Sequence, residues 1–209
     1  MDFCDEPSIA SAASTAASLF PPTSRWHLHL ALCVPGLLFP EKSPRQVDAA
    51  DALLTLRTNT LGPLLAIKHF APLLPRKSAE FRVDDADAYA GLPPRAAVWA
   101  TMSARVGSVA DNALGGWYSY RASKAAVNQL TKTFDNHLRV QAAGKAMAVA
   151  LHPGTVKTGL SKEFWGNVKE EKLFEPEWAA ERLVEVLRGL DVERGRGRCW
   201  DWKGEEVPP

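Results

Sequence analysis

Three short apolar runs, separated by longer stretches of helical periodicity, constrain this chain more than any other feature. Leu28 to Val34 stops at Pro35-Gly36, Ala96 to Met102 forms the second run, and Lys145 to Leu151 stops at His152-Pro153-Gly154. Between and after them come helical patterns. Gln46 to Leu74 carries Leu53, Leu56, Leu61, Leu64, Leu65 and Phe70. Ala122 to Leu138 repeats Ala126, Leu130, Phe134 and Leu138 at i+4 steps, and Pro176 to Leu190 opens on a proline and aligns Leu183, Leu187 and Leu190. Buried strands alternating with amphipathic helices predict an α/β parallel sheet with helices on both faces. Arg198 to Trp202 reads as a last strand, followed by a turn at Lys203-Gly204. Residues 76–94, with Asp84, Asp85 and Asp87 and closing on Pro93-Pro94, read as a surface loop insertion. No internal repeat is visible, so residues 1–209 are expected to form one domain.

Composition narrows the function classes. Lys plus Arg is 25 and Asp plus Glu is 24, a net charge of +1. Such a balance has no electrostatic footprint for nucleic acid or an anionic membrane. The longest apolar run, Leu28 to Phe39, is broken by His29, Pro35 and Gly36, so no segment reaches the roughly 20 residues of a membrane span. Cys4, Cys33 and Cys199 are odd in number and lack metal-ligand spacing. They read as reduced thiols of an intracellular protein without a metal site. Residues 7–25 are rich in Ala and Ser and free of acids, as in an organelle transit peptide. The competing reading is a surface helix near Ser8 to Leu19, ended by Pro21-Pro22. A cytoplasmic location is expected, with plastid or mitochondrion as the other possibility.

The residues that bear chemistry centre on Tyr120-Arg121-Ala122-Ser123-Lys124. Residues at i and i+4 share one helix face. A phenol with a pKa near 10 is a poor acid-base at neutral pH, and a cation a few ångströms away lowers that value. The spacing suits a tyrosine that exchanges a proton with a carbonyl or alcohol oxygen. Asn59 has a feature of its own. In an α-helix the amide of residue 63 would bond to the carbonyl of Asn59, but residue 63 is proline and has no N–H. That carbonyl is therefore predicted to be free for a water, or else the helix simply kinks there.

Around this pair lie Thr101-Met102-Ser103-Ala104-Arg105-Val106-Gly107-Ser108 at a strand end, Asn59-Thr60-Leu61-Gly62-Pro63 in the long helix, and Pro153-Gly154-Thr155-Val156-Lys157-Thr158 at the next strand end. Together and in this order they resemble the short-chain dehydrogenase/reductase family. Gly115-Gly116-Trp117-Tyr118-Ser119-Tyr120 is most similar to its C-factor-like, carbonyl-reductase-like branch. The resemblance runs over nearly the whole chain. It implies a Rossmann-like fold and an NAD(P)-dependent oxidoreductase acting on a carbonyl or secondary alcohol, with NADP or NAD as cofactor. Tyr120 would be the general acid/base. Lys124 would lower its pKa and bind the nicotinamide ribose, and Asn59 would hold a proton-relaying water. Pro153, Gly154, Val156 and Thr158 would line the nicotinamide side. Gly36 would close the strand end that the family writes Asn-Asn-Ala-Gly, and Asp2 would touch adenine. The helices at 46–74 and 122–138 would form a homo-oligomer interface. Residues 161–174, with Phe164, Trp165 and Phe174, would supply a substrate lid or pack as core.

Three departures stand against that pattern. The family's substrate-orienting serine is the second of a Ser-Ser pair, where this chain has Ser103-Ala104; Ser103 and Ser108 are the candidates left. The strand end reads Cys33-Val34-Pro35-Gly36, without asparagine. The first glycine is Gly36, so the glycine-rich turn that opens the family's fold is not present. The expected sheet is therefore N-terminally truncated, lacking the first strands, with Leu28 to Val34 as an exposed apolar edge. Two alternatives stand beside the oxidoreductase: an impaired remnant that binds or dimerises, and a piece of a longer product.

Overall fold

The period-2 pattern of the apolar runs decides how the sheet buries its two faces. In the computed structural model, which describes residues 1–21, 26–81, 92 and 96–209, the runs are strands β1 (Leu30–Cys33), β2 (Ala97–Met102) and β3 (Ala146–His152). Each is parallel to the next, with Leu30 opposite Val98 and Ala97 opposite Ala146. Along β2, Ala97 and Trp99 face one side, and Val98 and Ala100 face the other. This is the two-fold alternation of a strand.

Helices cover both faces. On one side lie α1 (Glu6–Leu19), α3 (Gly62–Phe70) and α4 (Tyr118–Ala142), whose Ile9, Ala66, Phe134 and Leu138 share a core with Trp99 and Ala148. The Trp99 and Phe134 rings meet edge to face at 5.7 Å, a favoured aromatic geometry. On the other side α5 (Pro176–Gly189) lays Leu183 and Leu187 against Val98, Met147, Val149 and Leu151. The sheet continues through β6 (Cys199–Asp201), parallel to β3, to β7 (Glu206–Val207), antiparallel to β6. Its order is β1-β2-β3-β6-β7. The α/β parallel sheet with helices on both faces is thus the observed architecture. β1 is an edge, as expected, and Leu32 stands 51% exposed on it.

Several elements differ from the sequence pattern. The single helix expected over 46–74 is α2 (Ala49–Leu56), a π turn (Arg57–Leu61), α3, and a 3₁₀ turn (Ala71–Leu73). The break falls where Pro63 predicts it. It takes the form of an i→i+5 turn, in which the Gly62 amide reaches back to the Arg57 carbonyl. Helix α4 is longer at both ends than 122–138, because its buried stripe runs on from Tyr120 to Ala142. A small parallel pair, β4 (Thr155–Val156) with β5 (Leu173–Phe174), and the short helix α6 (Val192–Gly195) are too brief for any periodicity to reveal. Within the expected 76–94 loop, Lys145 Nζ donates to the Lys77 carbonyl at 2.6 Å. Asp84, Asp85, Asp87, Pro93 and Pro94 lie outside the described residues.

A buried ion pair ties the layers together. Arg196 Nε donates to both carboxylate oxygens of Asp135 at 3.1 and 3.0 Å, and the Ala148 amide donates to Asp135 Oδ1 at 3.1 Å. Arg196 also donates to the carbonyls of Ala143 and Ala146. Helix α4, strand β3 and the loop before β6 therefore share one satisfied cluster. Removing one partner leaves the other charge buried and unpaired. Asp135→Ala is expected to destabilise the fold by about 3–5 kcal/mol in urea titrations.

Candidate active site

The carboxyl ends of parallel strands form the crevice where ligands bind in open α/β sheets. A cavity of about 610 Å³ lies there, at the ends of β1, β2 and β3. It is lined by Tyr120, Lys124, Ser103, Gly36, Pro153, Gly154, Val156 and Thr158, eight of the residues that the sequence singles out. Asn59 and Asp2 are not among its lining residues. Leu38, Trp117, Leu160 and Phe164 add an apolar wall to it. A groove of about 750 Å³ on the far side of α5, against Trp178, Trp200 and Trp202, holds none of the candidate site residues.

Tyr120 and Lys124 lie one helical turn apart at the start of α4, 7% and 2% exposed. Lys124 Nζ stands 5.7 Å from the centroid of the Tyr120 ring and donates to the Met102 carbonyl at 2.8 Å. The i, i+4 spacing predicts a tyrosine pKa lowered by that cation. The structure reverses this: burial pushes the Tyr120 phenol up to about 12 and the Lys124 amine down to about 8. Desolvation penalises both charged forms, and the ammonium is directed to the end of β2. The phenol is therefore a proton donor over the neutral range.

Ser103 is 2% exposed and lines the cavity, but its hydroxyl donates to Asn128 Oδ1 on α4 at 2.6 Å. The neighbouring Ala104 lines the same cavity without a hydroxyl. Ser108 accepts from the Asp111 amide at 3.0 Å and donates to the Pro209 carbonyl at 3.4 Å, away from the cavity lining. Gly107 lets this loop cross α4 closely: a Cβ there would stand 2.7 Å from the Lys124 carbonyl carbon.

Asn59 acts through its side chain. It is fully buried in the π turn; its Oδ1 accepts from the Leu37 amide at 2.8 Å, and its Nδ2 donates to the Leu37 carbonyl at 2.8 Å. The same Nδ2 also donates to Ser123 Oγ at 3.0 Å, and Ser123 Oγ donates to the Tyr120 carbonyl at 2.7 Å. The loop after β1 is thereby fixed to α4. Asp2 is exposed and accepts from the Cys4 amide at 2.8 Å, in the turn before α1.

At the strand end after β3, Gly154 adopts φ +77°, and a Cβ there would stand 2.5 Å from the Phe174 ring. Only glycine fits both the backbone and the contact. Ser161 Oγ accepts from Trp165 Nε1 at 2.8 Å and from the Thr158 amide at 3.3 Å, at the start of the 161–174 segment that the resemblance assigns to a lid or to core packing. His152 was missed by sequence reasoning. It lines the cavity, its Nδ1 is buried without a hydrogen-bond partner, and burial, reinforced by Arg105, pushes its pKa down to about 4. Its ring meets Trp202 edge to face at 5.3 Å. The donor set of the cavity suits the nicotinamide and ribose end of a dinucleotide: a buried amine, a phenol and a glycine-lined strand end. The described residues around it include no glycine-rich turn for the pyrophosphate.

No protein-family model matches the chain. Over 162 residues it is 33% identical to the C-signal protein of Myxococcus xanthus, an overlap of 78% of this chain and 81% of that one. Over 138 residues it is 36% identical to 1-hydroxy-2-glutathionyl-2-methyl-3-butene dehydrogenase of Rhodococcus sp. strain AD45, covering 66% of this chain and 50% of the relative. The crystal structure of NADPH-bound carbonyl reductase from chicken fatty liver matches with a TM-score of 0.78 at 26% identity, covering all of this chain and 75% of that one. The fold is thus the Rossmann-like α/β type of the carbonyl reductases. The chain belongs to the short-chain dehydrogenase/reductase family.

His152 makes the fold sensitive to acid. Its folded pKa of about 4 lies below the ordinary 6.5, so the unfolded chain binds the extra proton in that interval. Stability is full above pH 6.5 and is lost as pH falls toward 4. Thermal melts across this range are expected to show that loss, and His152→Gln is expected to flatten it.

Proposed function

We propose that the chain is an NAD(P)-dependent oxidoreductase that interconverts a carbonyl and a secondary alcohol, with Tyr120 as its general acid/base. One observation carries the reading: Tyr120 and Lys124, buried one turn apart, face the same cavity as the Pro153-to-Thr158 strand end. The nicotinamide, when bound, supplies or accepts the hydride at the substrate carbon. Pro153, Gly154, Val156 and Thr158 line its side of the cavity, and Lys124 offers an amine to the ribose hydroxyls. In the reducing direction the Tyr120 phenol gives its proton to the carbonyl oxygen as the C=O π bond opens. The Lys124 ammonium then stabilises the phenolate left behind. The apolar wall of Leu38, Trp117, Leu160 and Phe164 supports a small carbonyl substrate with an apolar body.

Three finer readings follow from the same chain. NADP is favoured over NAD by the NADPH-bound carbonyl reductase it resembles. Self-association through α2–α3 and α4 is supported by exposed Leu53, Leu54, Leu61, Leu64 and Val140. A reducing compartment such as the cytoplasm is supported by three unpaired cysteines, and no helix among the described residues is long and apolar enough to cross a membrane. A second reading, a binding module without turnover, draws on Asp2 lying outside the cavity lining.

Fluorescence titration with NADPH and NADH separates the two, since the chain has seven tryptophans. Saturable binding with oxidation of NADPH by an aromatic ketone is expected; no binding and no turnover would favour the second reading. Tyr120→Phe is expected to lower turnover by about 10²–10⁴-fold while NADPH still binds. Undiminished turnover in that variant contradicts the assigned role. Lys124 loses its charge as pH rises through about 8, so the reduction rate is expected to fall above that value in a pH profile.

A further inference from the structure

Helix α4 begins without a cap of its own. The residue before it, Trp117, has φ +50° and ψ +48°, and no side chain of the helix's own N-terminal segment closes its first turn. The first amides of a helix need acceptors. Here they find one 78 residues away in the chain: Glu41 Oε2 accepts from the Ser119 amide at 2.8 Å, and Oε1 accepts from Ser119 Oγ at 2.5 Å. The Glu41 carbonyl also accepts from the Trp117 amide at 2.6 Å. Glu41 is 3% exposed, and among the described residues no Lys, Arg or His forms an ion pair with it. A buried carboxylate without a cation is costly. What holds it is the set of donors at the helix start and the positive end of the helix dipole.

We propose that Glu41 is a positioning residue for Tyr120: its buried carboxylate, on the loop after β1, sets the first turn of the helix that carries the phenol. Ser119 immediately precedes Tyr120, so a shift in its amide shifts the phenol. Trp117 moves with the same turn, and its ring stands 6.1 Å from Tyr120 and 4.9 Å from Phe164 across the cavity wall. The far end of the loop is fixed independently, by Asn59 to Leu37 and Ser123. The two anchors therefore bracket Tyr120 on the helix, Ser119 on one side and Ser123 on the other. Glu41 touches neither substrate nor cofactor in this account; it acts through Ser119.

The proposal rests on the oxidoreductase reading, and its test keeps the two apart by joining backbone hydrogen exchange to steady-state kinetics. Wild type, Glu41→Gln and Ser119→Ala are compared, with NADPH and an aromatic ketone as substrates. In Glu41→Gln the Ser119 amide is expected to exchange about tenfold faster or more, while the amides of β3 keep their rates. The kcat is expected to fall about 10- to 100-fold, with both KM values within about threefold. Ser119→Ala keeps the amide donor and loses the hydroxyl, so a smaller loss of kcat in the same direction is expected; it decides the matter if Glu41→Gln does not fold. Unchanged exchange at Ser119, or a kcat loss matched by loss of protection throughout β3, overturns the positioning role. A wild type that turns over and a Glu41→Gln with unaltered kinetics overturns that role alone. A wild type with no turnover overturns the oxidoreductase reading and the positioning role with it.

Discussion

The side chain of Asn59 meets no water, and its amide joins three parts of the molecule. Its reciprocal hydrogen bonds to Leu37 imitate the pairing of two strands, and they hold the loop after β1 where no strand continues. Its third bond runs to Ser123 on α4. The cavity lies between these elements, so its shape depends on an amide that lies outside its lining. The π turn serves this arrangement. Widening the helix at Arg57–Leu61 accommodates a proline four residues after Asn59 while the rod continues into α3.

Burial governs the electrostatics of the site more than proximity does. A cation within 6 Å of a phenol is the usual argument for a lowered tyrosine pKa. Here both groups are enclosed, and desolvation drives them in opposite directions, the phenol to about 12 and the amine to about 8. A phenol that stays protonated is suited to giving a proton to a carbonyl oxygen. An amine that titrates near 8 is charged at neutral pH and loses its charge in mild base. The same exclusion of water explains His152, whose imidazole is kept neutral beside Arg105 and Trp202.

Much of this was legible in the sequence, and the limits have physical causes. The strands could be read because a doubly covered sheet needs continuous apolar runs, and β2 and β3 are buried on both faces. Tyr120 and Lys124 could be read because i and i+4 is a local relation. Pro63 marked the helix break, because a missing N–H is visible in one letter. The form of that break was not legible, since a π turn depends on what the widened turn packs against. Glu41 and the side-chain partners of Asn59 were hidden for another reason. They join residues 22 to 78 positions apart, and no periodicity reports a contact made through space. The resemblance assigns Asp2 to adenine; in the structure its carboxylate also accepts from the Cys4 amide in the turn before α1.

The central claim is that Tyr120 and the residues around it serve hydride transfer to a carbonyl carbon. The most direct measurement uses NADPH deuterated at the transferring position of the nicotinamide, an aromatic ketone, and mass spectrometry of the secondary alcohol formed. The account predicts one deuterium bound to the former carbonyl carbon, with product formation lowered about 10²–10⁴-fold in Tyr120→Phe. An alcohol without deuterium, or no alcohol from a chain that binds NADPH saturably, would contradict it.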